Sequence, residues 1–92
     1  MADAEVLLIT TEQPPTGKVK ETKGLVVAAR PVSIAVAAAD EELEALLQKL
    51  RSEAAKKGAN AVLGVRIDVR RVIGAGLEWV LLLAYGTAVV LE

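Results

Sequence analysis

Lys57-Gly58-Ala59-Asn60-Ala61-Val62-Leu63-Gly64-Val65-Arg66-Ile67-Asp68 closes a helix, turns, and opens a strand. Upstream of it, Leu43, Leu46, Leu47, Leu50 and Ala54 fall at i, i+3, i+4, i+7 and i+11. That spacing is one stripe of a 3.6-residue repeat and predicts a helix over 40–57. Asp40 is placed to cap its start, and Glu41, Glu42 and Glu44 face the positive end of the helix dipole. Lys56 and Lys57 fall at the other end, and Gly58 supplies the left-handed residue that stops the helix. Downstream, Leu63, Val65, Ile67 and Val69 alternate with Gly64, Arg66, Asp68 and Arg70, which predicts a strand over 61–72 with one core face and one polar face.

Gly74-Ala75-Gly76 makes a turn, and 77–91 returns as a second long strand, so the two form an antiparallel hairpin. Alternation fails in that strand. Trp79, Leu81 and Leu83 share one parity while Val80, Leu82 and Ala84 share the other, and a single helix can cover one of them. Leu82 is assigned to the outward parity, so Leu82→Glu is expected to break an assembly of copies or prevent folding. Gly86 interrupts the strand, the signature of a bulge or a close backbone approach. Before the helix, Val6 to Thr10 reads as a first strand, and the charged 18–23 segment as an exposed edge or loop. The apolar 24–29 run and 32–36 read as one strand bent at Pro31, with Val26 and Val27 adding to the surplus apolar surface.

The fold class expected is α+β, one helix packed on an antiparallel β-sheet, in a single domain over 1–92. A chain this short buries about 60–65% of its unfolded surface when folded alone. Yet 53% of its 92 residues are hydrophobic, so part of that surface should be buried between copies of the chain. A net charge of −1 and two aromatic residues, Trp79 and Tyr85, argue against nucleic acid as a partner. The absence of cysteine and histidine removes disulfides, thiolate nucleophiles, imidazole bases and the soft metal ligands. No cofactor is expected. The apolar runs are broken by Arg30, Asp40 and Glu78, well short of the roughly 18 residues of a membrane span, and no basic-then-apolar leader opens the chain. Cytoplasmic residence is the expectation.

Gly58-Ala59-Asn60-Ala61-Val62 with Gly64-Val65-Arg66-Ile67-Asp68 resembles the helix-to-strand junction of the YbjQ family. Gly86-Thr87-Ala88-Val89-Val90 is similar to that family's carboxyl-terminal signature. Ile9-Thr10-Thr11, Gly17-Lys18 and Gly24-Leu25-Val26 are similar to its amino-terminal segment. The chain departs from the family at Val32 to Asp40, short and alanine-rich where relatives carry a longer insert. The resemblance implies a dodecin-subunit-like or YbjQ-like subunit that forms ring-shaped homopentamers. It also implies a heavy-metal-binding label and no settled function.

Asn60 could line a ligand pocket with its amide or complete the turn into the strand. Arg66 and Asp68, with Arg70, could line an anion site or channel between subunits, or form a solvated face. Thr10 and Thr11 could offer hydroxyls to a ligand, although strand ends favour threonine on their own account. The acidic group Asp40, Glu41, Glu42 and Glu44 could hold a hard cation but suits a helix start equally, so no metal site is assigned. Glu78 beside Trp79 would be a general acid only if buried. The expectation is a non-enzymatic homo-oligomer, with a small ligand or ion between subunits or with none. A small carboxylate-based enzyme is the alternative.

Overall fold

The structure, a computed structural model, describes residues 6–14, 17–33, 39–74 and 77–92; the side chains of 33, 39–40, 72–74 and 77–78 lie outside this set. The elements are β1 (Leu7–Leu8), β2 (Val19–Ser33), α1 (Ala39–Lys56), β3 (Ala61–Gly74) and β4 (Leu77–Leu91). The sheet order is β1-β3-β4-β2. The long strands pair antiparallel as expected, and β1 adds in parallel, Leu7 opposite Ala61 and Leu8 opposite Val62, so the sheet is mixed. The reason is in the backbone: Leu7 N donates to Asn60 O and Ile9 N to Val62 O, running the chain start along β3 in its own direction. Strand β2 is continuous through Pro31, and its place at the sheet edge is what tolerates a residue with no N–H. Residues 34–36 and the turn at 75–76 lie outside the described set.

Helix and strands differ in length, and that shapes the molecule. Eighteen helical residues at about 1.5 Å each give roughly 27 Å, while a fifteen-residue strand at about 3.3 Å spans roughly 50 Å. The longest dimension is 49 Å against 23 and 21 Å across. The helix therefore covers about half the length of one sheet face. Its fully buried residues are Leu46, Leu50 and Ala54, packed on Val26, Ala28, Val62, Val65, Ala84 and Ala88. Leu47, expected in the core stripe, is only half-buried. Glu42 and Lys49 reach β2, pairing with Arg30 and with Ala29 O. The helical repeat puts Leu47 on the opposite flank, toward β3, where the helix leaves Ile67 and Val69 uncovered.

Two parities also differ from expectation. Between Leu63 and Arg66 the β3–β4 register shifts by one, because Gly64 adopts φ +63 and forms a bulge. Val65, Ile67 and Val69 then share the helix side, whereas Leu63 lies on the other face with Ala61 and Val89. Leu82, expected outward, packs against the helix-side core. The outward parity of β4 is instead Leu81, Leu83 and Tyr85, opposite Pro31, Ala29 and Val27 of β2. Val26 is likewise buried while Val27 is exposed. No helix among the described residues is long and apolar enough to cross a membrane.

Candidate functional site

The bulge organises the part of the molecule where the candidate residues meet. A G1-type bulge turns its amides away from the neighbouring strand, and here the chain start receives them. Gly64 N donates to Thr11 O at 2.8 Å and Val65 N to Ile9 O at 3.0 Å. One residue on, Arg66 Nη1 donates to Thr10 O at 2.7 Å and to Val65 O at 3.1 Å. The Thr11 hydroxyl donates to Gln13 O at 2.6 Å, an i to i+2 turn. The structure thus brings Thr10, Thr11 and Arg66 together, through the threonine carbonyls.

Asn60 and Asp68 stand apart from that group, on either side of it along β3. The Asn60 amide clamps the last residue of β4: Nδ2 donates to Leu91 O at 3.1 Å and Leu91 N donates to Oδ1 at 2.7 Å. A side chain here extends the β3–β4 ladder by one rung. Asp68 accepts from Arg70 Nε at 2.9 Å through one oxygen and from Val69 N at 2.9 Å through the other. The second bond occupies an N–H on β3 beyond the reach of β1. Lys49 does the equivalent on the other edge, donating to Ala29 O at 3.0 Å. One backbone group of β3 and one of β2 are thus each met by a side chain.

The face left open is the one opposite the helix. Ile9 and Leu91 cover its near end, over Ala61, Leu63 and Val89. Beyond them Leu25 is 64% exposed, Val27 49% and Tyr85 40%, with Arg66 opposite Tyr85 and Thr87 opposite Leu25. This apolar surface, bordered along β3 by Arg66, Asp68 and Arg70 opposite Tyr85, Leu83 and Leu81, can bind. Among the described residues no polar or charged side chain is buried, and no group of acids is arranged to hold a metal ion. Glu42 of the helix start is turned to Arg30, whose guanidinium is held above its ordinary range by that hydrogen bond and charge. The Lys23 ammonium, bonded at 2.8 Å, likewise holds the Glu21 carboxyl below its ordinary range. Glu78 pairs with Ile73, and its side chain lies outside the described set. Sequence reading passed over Leu25 and Tyr85; their signal was a strand partner already apolar on both parities.

Comparison with known proteins gives a consistent result. The family model described as "C2 domain-containing protein 5, YbjQ-like domain" matches residues 2–92. A UPF0145 protein of Methanococcus maripaludis is 40% identical over 53 residues, 58% of this chain and 45% of that protein. The chain thus matches about half the length of that curated relative. A crystal structure of a protein with unknown function of the DUF74 family, from Pediococcus pentosaceus, superposes with a TM-score of 0.72 at 17% identity. It covers 95% of this chain and 98% of that one, a likeness of fold.

Proposed function

The chain belongs to the YbjQ-like domain family, and from that premise we propose that it is a non-enzymatic, homo-oligomeric binding or scaffold subunit. One observation carries the reading: a sheet with one helix leaves Leu25, Val27 and Tyr85 exposed together on its other face. Side chains of this kind stabilise by about 1.5–3 kcal/mol each when fully buried, and a second copy is the cover always at hand. The family resemblance supplies the number five and a closed ring. A small molecule or ion between subunits would meet Arg66 and the Thr10–Thr11 segment at the margin of this face. The cytoplasm is the setting the reading assumes, with neither nucleic acid nor membrane as a partner.

A specific observation also favours assembly without any ligand. Asn60, Arg66 and Asp68 each spend polar atoms on the chain itself. Native mass spectrometry of the untreated protein separates the two, because it reports subunit number and retained mass together. A ring carrying a constant extra mass supports the binding reading. A bare ring supports the structural one, and a single 9.6 kDa chain contradicts both.

A further inference from the structure

Residues 6–11 join the sheet differently from the long strands. β1 is two residues long, and its one neighbour in the sheet is β3. Leu7 N and Ile9 N donate to Asn60 O and Val62 O, and Gly64 N and Val65 N donate back to Thr11 O and Ile9 O. The bulge makes the return possible, since Gly64 at φ +63 aims two successive amides away from β4. Arg66 Nη1 adds a third donor at Thr10 O, 2.7 Å away, so residues 64 to 66 together hold the carbonyls of 9 to 11. Burial is uneven along the segment. Val6 is buried and Leu8 and Ile9 are half-buried, whereas Leu7 and the residues from Thr10 to Gln13 are exposed. The larger part of the core, with Leu46, Leu50, Val26, Ala84 and Ala88, comes from α1, β2 and β4.

We propose that 6–11 is a strap that opens as one unit from an otherwise intact fold, with Arg66 as its latch. Segments with few buried contacts and exposed hydrogen bonds are the ones that open locally. The latch is the charged bond of the set, and a charge-assisted hydrogen bond is roughly twice as strong as a neutral one. It also grips the middle of the three carbonyls. Asp68, the next residue on the same face of β3, is turned to Arg70 and to Val69 N rather than to Arg66. With the strap lifted, Asn60 O, Val62 O, Gly64 N and Val65 N lose their strand partner together and become a free sheet edge. The latch therefore sets how often this edge is open, whatever the state of assembly.

Native-state hydrogen exchange of the full chain, over a series of urea concentrations below unfolding, tests this. The amides of Leu7, Ile9, Gly64 and Val65 should exchange through one common opening. That opening should be faster than exchange at Ala28 and Ala84, in the central ladder, and less dependent on urea, because lifting the strap exposes less surface than unfolding. Arg66→Met keeps the apolar stem and loses the donor, and should speed all four amides about ten- to a hundredfold. Arg66→Lys, which keeps a charged donor, should fall between. Circular dichroism checks the fold of both variants; if Arg66→Met does not fold, the urea dependence in the unmodified chain and the Arg66→Lys rates still decide. Four amides with the rate and urea dependence of Ala28 and Ala84 would overturn the proposal, because 6–11 would then leave only when the whole chain unfolds. Four unrelated rates, which mean residue-by-residue fraying, or rates that ignore the loss of Arg66, would overturn it as well.

Discussion

Gly86 and Val62 stand closer across the β3–β4 ladder than any side chain on residue 86 would permit. A Cβ on Gly86 would lie 2.6 Å from Val62 Cγ1 and 2.8 Å from Leu63 O. The neighbouring strand presents its bulge at this point, so backbone fills the space a side chain would need. Gly86→Ala should cost about 1–3 kcal/mol as an overpacked core site. Urea unfolding checks it, and a variant as stable as the parent would mean the strands are not so close.

Leu46→Ala and Leu47→Ala should behave differently although the two residues are adjacent. Leu46 is fully buried between the helix and the sheet, and its truncation should cost about 2–5 kcal/mol. Leu47 is half-buried, so the same truncation should cost the single chain less. Thermal unfolding of the pair decides. Equal losses of stability would put Leu47 back in the core.

Asn60→Ala should destabilise by about 1–3 kcal/mol, because it removes two hydrogen bonds to Leu91. Hydrogen exchange should quicken at Leu91 first, since its N–H loses its acceptor. Unchanged protection there would show that the amide does not hold the strand end.

The fold and the site were legible to different degrees, for physical reasons. Helix, hairpin and antiparallel pairing were written in periodicity, because burial of one face selects 3.6 or 2 as the repeat. The bulge was not, since Gly64 falls where a polar-face residue was expected and a one-residue shift leaves the alternation of Val65, Ile67 and Val69 intact. Only the paired glycines 64 and 86 hinted at it. The side of β4 that meets the helix was equally hidden, because Leu81 and Leu82 are alike in character. At the site, residue type pointed to Arg66, Asp68 and Asn60, but what they bond depends on where the chain start lies. Nothing local to 6–11 revealed its parallel course along β3.

Zinc and copper should bind weakly. The chain has no cysteine or histidine, and the described carboxylates form no cluster that could hold a metal ion. Calorimetric titration should show only weak, non-stoichiometric carboxylate binding. Stoichiometric sub-micromolar binding that survives a chelator wash would restore the metal reading.

Assembly through the exposed sheet surfaces is the central claim, and equilibrium sedimentation of the unmodified chain tests it most directly. The account predicts a closed species at an integral multiple of 9.6 kDa, five-fold by family resemblance, unchanged over a wide concentration range. A stable, well-folded 9.6 kDa single chain at every concentration would contradict it.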